Sequence, residues 1–422
     1  MNQEKTYDTD SREQTQDKQG VDEAVSRRRP RVIVGMSGGV DSSVTAALLM
    51  QAGYDVVGVT CVFTDSPSSQ SAIDDAQAVA KVLGIQHLVY DCQDIFEQRV
   101  VQPFVDGYAC GCTPSPCVGC NACVKIPALI VVADELALRD GQPCDFVATG
   151  HYARVVQRGE RFSVACAADA AKDQSYMLSL LTQEQLSRLV LPLGEIAGGK
   201  PEVRRIAAEL GLPTASKSES QDICFIPDGN HQAFLERRGI VGEPGDIVTR
   251  DGALAGRHEG LFRYTIGQRK GLGIGGAPRP YYVVEKDAQH NRIVVAFENE
   301  SFIDCVQVAD LNWQAISSED MLQRCAADNV LACSVKLRYR QKAVPCRLVP
   351  GVYKEGSAEA LDVKACTMQP IGEDLAGGIT SVSVVLESPQ TPTAPGQFAV
   401  FYDGDVVLGA GIIKSVSRLA RN

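Results

Sequence analysis

From residue 31 to about 149 the chain alternates compact apolar runs with amphipathic stretches. RVIVGM (31–36), DVVGVTCV (55–62), QHLVY (86–90) and DFVATG (145–150) are short and apolar, as buried strands are. Between them DSSVTAALLMQAG (41–53), AIDDAQAVAKVLG (72–84) and DIFEQRVVQPFVDGY (94–108) repeat apolar residues every three or four positions, which predicts helices. Such alternation implies a parallel sheet wrapped by helices, with ligands received at the carboxyl ends of its strands. Residues 173–212 keep a helical pattern and finish in PEVRRIAAELGLP, with Pro201 in a first turn and Gly211 as a stop.

After about residue 226 the pattern changes. Glycine-rich turns separate short strand-like pieces in GDIVTRDGALAG, YTIGQRKGLGIGG and RPYYVVEKD. From about 300 onward short alternating runs dominate, as in VLACSVKLRYR, ITSVSVVLE and QFAVFYDGDVVLGAGIIKSV. That composition predicts a closed or sandwich-like all-β domain.

The chain has 422 residues, enough for two or three domains. Its first thirty are polar throughout, as in a disordered tail, and lack the apolar centre of a signal peptide. No apolar run approaches the roughly 20 residues that span a bilayer, so a cytoplasmic protein with no membrane partner is expected. The net charge of −11 argues against a nucleic-acid partner unless basic residues are grouped. The best such group is Lys336, Arg338, Arg340, Lys342 and Arg347, with Tyr339 among them. Fifteen cysteines, an odd number with no export signal, suit reduced thiols with a few reactive members.

The most informative run is GMSGGVDSSV, residues 35–44, where a strand turns through small residues into a helix. Such a turn lets backbone N–H groups converge on an anion at the positive end of a helix dipole. The run from Gly35 through Met36, Ser37, Gly38, Gly39, Val40, Asp41 and Ser42 is therefore a candidate phosphate cradle. Gly38 and Gly39 permit close approach, and Ser37, Ser42 and Ser43 add hydroxyls. No GK[ST] follows, so it is not the kinase-type loop. Asp41 fits two roles equally, a ligand to magnesium on the phosphates or a cap of the helix. Gly150 and His151 follow the DFVATG strand and are expected at the same sheet edge.

Residues 110–123, CGCTPSPCVGCNAC, hold five cysteines in fourteen positions. They admit a zinc knuckle of Cys110, Cys112, Cys117 and Cys120, a single catalytic thiol held by the proline turn, or an iron–sulfur site with a distant ligand. The tight first pair, C-x-C, counts against zinc. Cys224, in SQDICFI, would by itself be a buried, inert core residue.

Together these pieces resemble the tRNA-specific 2-thiouridylases of the ATP pyrophosphatase superfamily, over residues 31 to 416. The matching motifs are GMSGGVDSSV, TPSPCVGCN (113–121), ATGHYAR (148–154), KDQSYML (172–178), SQDICFI (220–226), TIGQRKGLGIGG (265–276), RYRQ (338–341) and APGQFAVFY (394–402). The resemblance implies an α/β fold whose parallel sheet is of the adenine-nucleotide α-hydrolase type, with a small central domain and a C-terminal β-barrel. The domains expected are a tail at 1–30, the catalytic domain at 31–225, the central domain at 226–299 and the barrel at 300–422. It implies Cys120 as the catalytic cysteine and Cys224 as the bearer of a persulfide. Cys61 falls where some relatives carry a methionine against adenine. Ser115, Pro116, Cys117, His151, Lys172, Asp173, Gln174, Arg338, Tyr339, Arg340 and Gln397 would face tRNA. ATP and magnesium are implied, with tRNA and a sulfur-donor protein, a cysteine desulfurase or a relay protein, as partners.

The chemistry agrees with this likeness. A uracil 2-oxygen is a poor leaving group, adenylation makes it a good one, and a persulfide is a nucleophile at neutral pH. A second thiol resolves the linkage and leaves a disulfide. Cys117 with Cys120 and Cys224 would also suit a four-iron cluster with one open iron, or Cys117 is a small residue with no such role. Two rivals are another adenylating ligase of the same superfamily and a zinc-dependent RNA-binding adaptor.

Overall fold

The structure is a computed structural model that describes residues 28–218, 223–325, 330–351 and 379–417. Its first sheet is built from β1 (Arg31–Gly35), β2 (Asp55–Val62), β3 (Gln86–Asp91), β4 (Phe146–Ala148) and, beyond the hairpin of β5 (Ala153–Arg158) and β6 (Arg161–Cys166), β7 (Leu189–Val190). The order is β3-β2-β1-β4-β7 and every pairing is parallel. β1 lies in the middle because Val32, Ile33 and Val34 are wholly buried and need cover on both faces.

The helix Val40–Gln51 covers one face and packs on the helix Gly199–Glu209. On the other face lies a long helix, Pro116–Asp140, whose Ile126, Leu129, Ala133 and Leu136 join Ile33, Val57 and Val147 in one core. This helix corrects the expectation that no apolar segment is of bilayer length. By length and composition it could cross a membrane, yet 61% of its most apolar window is buried inside the protein. A core helix against a sheet needs the same composition.

Two further expectations fail for local reasons. Residues 173–212 are helical only in short pieces, not as one run. A 3₁₀ turn at Ser175–Leu178, a short helix at Gln183–Ser187 and the strand β7 precede the helix Gly199–Glu209. At Gly194 the backbone runs so close to the Ala153 carbonyl that no side chain fits, and Pro192 opens another 3₁₀ turn. YTIGQRKGLGIGG contains no strand, because Gly267, Gly271, Gly273 and Gly276 all adopt positive φ.

The middle of the chain forms a four-stranded sheet from β8 (Gly245–Thr249), β9 (Leu254–His258), β10 (Tyr281–Asp287) and β11 (Arg292–Phe297), in the order β10-β11-β8-β9. The last part forms a closed six-stranded antiparallel barrel. Its strands are β12 (Ile303–Trp313), β13 (Leu331–Lys336), β14 (Val344–Gly351), β15 (Ser381–Gln390), β16 (Phe398–Asp403) and β17 (Val406–Ser417). The ladder runs β12-β15-β14-β13-β16-β17 and closes through β12 on β17, which removes free edges. The β5–β6 hairpin extends this sheet, since Val406 of β17 pairs with Ala165 of β6.

One buried ion pair fastens the barrel to the first sheet's domain. Lys336 Nζ lies 2.7 Å from Asp173 Oδ2, with side chains 14% and 5% exposed. Burial pushes the Asp173 carboxyl up, but Lys336 and the Ser175 backbone and hydroxyl outweigh it and hold the pKa below its ordinary value. Lys336→Met would strand that carboxylate without its cation, and loss of one partner of a buried pair costs about 3–5 kcal/mol. Urea unfolding at neutral pH should show that loss. Because the folded pKa of Asp173 is depressed, the pair's contribution fades as pH falls through it. The gap between wild type and variant should therefore narrow in acid.

Candidate active site

The loop between β1 and the helix Val40–Gln51 turns at Gly38, whose φ is +65°. A Cβ there would sit 2.5 Å from the Ala72 carbonyl oxygen, so only glycine fits. Gly39 is extended (φ −102°), and a Cβ would meet only Ser37 Oγ, at 3.4 Å. Among the described residues the N–H groups of Gly38 and Gly39 have no hydrogen-bond partner. They lie at the positive end of a twelve-residue helix. The Ser42 and Ser43 hydroxyls are less free than expected, since both donate to Gly39 O, at 3.1 and 2.8 Å. Ser42 Oγ also accepts from Ser37 N. Met36 and Val40 are buried, and Gly35 approaches Leu129, so these three shape the loop from inside.

Asp41 does not cap the helix. Gly39 occupies the cap position without a side-chain bond, and Asp41 lies in the first turn. Its carboxylate accepts from Tyr152 OH and Lys200 Nζ, each at 2.7 Å. Lys200 is thereby fixed beside the Gly38–Gly39 turn, a cation that sequence patterning did not single out. Lys217 is a second, donating to Gly38 O at 2.9 Å and pairing with Asp75. Gly150 closes on the same helix start, since a Cβ there would lie 2.8 Å from Ser42 N. His151 follows, half-buried, with Nδ1 2.7 Å from Thr149 Oγ1. Burial, with the Lys125 charge, drives its pKa down to about 3, so the imidazole is neutral.

The cysteine turn stands beside this edge. Ser115 precedes the helix Pro116–Asp140, in which Pro116 fills the first-turn position. Cys117 is exposed and Cys120 is 8% exposed. Burial pushes the Cys120 thiol up to about 12; Lys125 pulls it back, while Cys224, Cys117 and Cys123 add to the rise. Cys224 therefore lies within electrostatic reach of Cys120 although 104 positions separate them (224 − 120). It is exposed, not the buried core residue that its surroundings in sequence suggest. Protein atoms crowded around this solvent-reachable thiol raise its pKa first, with Lys125 opposing and Cys117 adding. Cys61, at the end of β2, is hydrogen-bonded to Cys92, which with burial pushes its pKa up.

The barrel braces the turn. Gln397 Nε2 donates to Thr113 O at 2.6 Å, Thr113 N–H donates to Pro395 O at 2.9 Å, and Gly396 (φ +88°) packs on Cys112. Gln397 is thus a strut. Several residues expected to face tRNA likewise bond within the protein. Asp173 holds Lys336; Gln174 Oε1 accepts from Tyr152 N at 2.8 Å; Arg338 donates to Pro392 O. Tyr339 is half-buried with its ring 6.1 Å from that of Tyr176, and Lys172 is half-buried and engaged. Arg340, Lys342 and Arg347 are exposed.

Among the described residues no three histidine, cysteine or carboxylate side chains are gathered as a metal ion requires. Neither the zinc set nor the Cys117–Cys120–Cys224 set is assembled, so these residues do not fit a resident zinc ion or iron–sulfur cluster.

Known proteins share much of this sequence. A family model described as tRNA methyl transferase HUP domain matches residues 30–228. A tRNA methyl transferase PRC-barrel domain matches 232–297, and an aminomethyltransferase beta-barrel domain matches 375–413. A tRNA-specific 2-thiouridylase MnmA from Symbiobacterium thermophilum is 41% identical over 404 residues, covering 91% of this chain and 92% of that protein. One from Lachnoclostridium phytofermentans is 39% identical over 399 residues, covering 91% and 99%. The chain belongs to the tRNA-specific 2-thiouridylase family. Among solved structures, the U34-tRNA thiolase NcsA from Methanococcus maripaludis with its [4Fe-4S] cluster covers half of the chain, at 17% identity and a TM-score of 0.31, too slight a likeness to argue from.

In this 2-thiouridylase the residues near the candidate site that sequence patterning missed are Lys125, Lys200, Lys217 and Asn121. Asn121 donates to Met177 O at 3.0 Å, while its buried Oδ1 has no partner. Only its neighbourhood in sequence to Cys120 could have flagged it. The two loop glycines should respond differently to alanine. Gly38→Ala forces a left-handed φ on a side chain, which costs about 1–3 kcal/mol, and adds the clash with Ala72. Gly39→Ala should unfold at the wild-type midpoint. Denaturant melts that fail to separate the two variants would contradict this account of the loop.

Proposed function

We propose that this enzyme converts the wobble uridine of tRNA to 2-thiouridine, using ATP to adenylate the base and a cysteine persulfide to deliver sulfur. The observation that carries the reading is an exposed Cys224 within electrostatic reach of a buried Cys120, near the turn that opens the helix Val40–Gln51. A thiol that takes sulfur from a donor protein must be reachable by that protein, whereas one that acts only after the base has arrived need not be. Their unequal exposure matches those two roles, with Cys224 as the carrier and Cys120 as the resolving thiol.

ATP is a co-substrate here. Gly38 and Gly39 would receive its phosphates on their N–H groups, with Lys200 adding charge. Magnesium on the phosphates remains part of the proposal, although Asp41 is already held by Lys200 and Tyr152. Once AMP is linked to the 2-oxygen, the terminal sulfur of the Cys224 persulfide attacks C2 and AMP departs. The thiolate of Cys120 then attacks the Cys224 sulfur, a Cys120–Cys224 disulfide forms, and the base leaves carrying one sulfur. A two-electron thiol reductant restores both cysteines. Neutral His151 would present hydrogen bonds to the base without competing for its charge. Arg340, Lys342 and Arg347 are the exposed members of the basic group and the natural contacts for tRNA phosphates. We place the work in the cytoplasm, with a desulfurase or relay protein as donor. Divisions near residues 225 and 300 would separate the catalytic, central and barrel domains.

The test incubates the enzyme with unmodified tRNA, ATP, magnesium and a persulfide-bearing donor protein, then weighs the digested nucleosides. The expected product is a uridine heavier by the exchange of one oxygen for sulfur, with pyrophosphate released. Cys224→Ser should accept no sulfur; Cys120→Ser should accept it and fail to complete transfer. Unchanged nucleoside mass with pyrophosphate release would favour another adenylating ligase. Tight zinc with neither change would favour an RNA-binding adaptor.

A further inference from the structure

The chain from Asn121 to Lys125 is a π-helical turn set inside the helix Pro116–Asp140, with Ile126 N–H bonding back to Asn121 O. In an α-helix a residue five positions on is rotated by about 140°. Where hydrogen bonds span five residues the turn is wider, and residues five apart come nearer to one face. Cys120 and Lys125 bracket this turn, so the wider turn brings the lysine round toward the face that carries the thiol. Lys125 is half-buried, and among the described residues no carboxylate pairs with it. Its charge nonetheless reaches Cys61, Cys117, Cys120, Cys224 and His151, groups drawn from β2, the cysteine helix, the segment after the helix Gly199–Glu209, and the end of β4.

We propose that Lys125 is the counter-cation of the thiol pair, a positioning residue that holds the sulfur anions of Cys120 and Cys224 in place while one is loaded and the other resolves the linkage. The assignment rests on the reading of these two cysteines as the reacting thiols. The thiolate is the nucleophile, and around these cysteines burial opposes the thiolate form. Among the described residues, the other groups that act most on Cys120 are thiols, Cys224, Cys117 and Cys123, with Cys61 and its partner Cys92 behind them. Arg99 lies beside the cysteine turn and acts on Cys123, and His151 is neutral. Lys125 is the cation that favours an anion at both reacting sulfurs. It exchanges no proton. The thiol proton goes to solvent.

The π turn then has a purpose. A regular helix would carry position 125 away from the thiol, and the cation would serve neither cysteine. Bulges of this kind recur at functional sites for the same reason, since one inserted residue re-aims a side chain.

A charge-sensitive alkylation tests the assignment without tRNA or ATP. Full-length protein is treated with anionic iodoacetate or neutral iodoacetamide across a pH range, and modification of Cys120 and Cys224 is counted by peptide mass spectrometry. In Lys125→Met and Lys125→Gln the iodoacetate-to-iodoacetamide ratio at Cys224 should fall several-fold. The pH midpoint for alkylation of both thiols should rise. Lys125→Arg, which keeps the charge, should return both readouts toward wild type. Wild-type ratios in a folded neutral variant would overturn the proposal. So would an equal loss in Lys125→Arg, which would show that shape and not charge matters. Nucleoside masses are not part of this readout, so failure here is distinct from failure of the thiolation reading.

Discussion

A strand buried on both faces has its two ends as its only access to solvent, and the carboxyl end of β1 is where the chemistry collects. Val32, Ile33 and Val34 are fully covered by the helix Val40–Gln51 on one side and the helix Pro116–Asp140 on the other. The first of these helices follows the Gly38–Gly39 turn. The second starts with the cysteine turn. Packing both against one strand therefore places these two turns at one sheet edge, and the Gly150–Ser42 approach pins the third element there.

Burial that builds the edge also works against its chemistry. Thiols set among packed atoms are poor thiolates, and the Cys120 pKa of about 12 expresses that conflict. The barrel contributes by fixing geometry, not charge. Gln397, Pro395 and Gly396 hold the turn at Thr113 while Lys336 anchors Asp173, which in turn bonds Ala167 and Ser175. Residues that look like an RNA-binding stripe in sequence thus divide. Lys336 and Arg338 face inward as struts, and Arg340 with Lys342 and Arg347 face water.

The alternating pattern made the parallel sheet legible, because strands buried on both faces read as unbroken apolar runs. The glycine turn between β1 and the helix Val40–Gln51 was legible too, since only a glycine at Gly38 satisfies both φ and the Ala72 contact. β7 was not, being two residues long, and the β5–β6 hairpin was not, because its partner lies in a barrel strand more than two hundred residues on. The candidate site was half legible. Cys120 and Cys224 were proposed through resemblance, while the exposure of Cys224, the Lys200–Asp41 bond and the π turn before Ile126 depend on three-dimensional packing that no local pattern encodes. Asp173, Gln174 and Gln397 show the converse, polar residues in marked motifs whose bonds are internal.

The central claim is that Cys120 and Cys224 act on each other within one turnover. The direct measurement loads the enzyme once with persulfide, adds ATP and tRNA without reductant, quenches with an alkylating agent, and maps disulfides by peptide mass. A Cys120–Cys224 disulfide formed in step with thiolated tRNA is the result this account predicts. Thiolated tRNA with both cysteines recovered as alkylated thiols, or with Cys224 bonded to Cys117 or Cys61 instead, would contradict it.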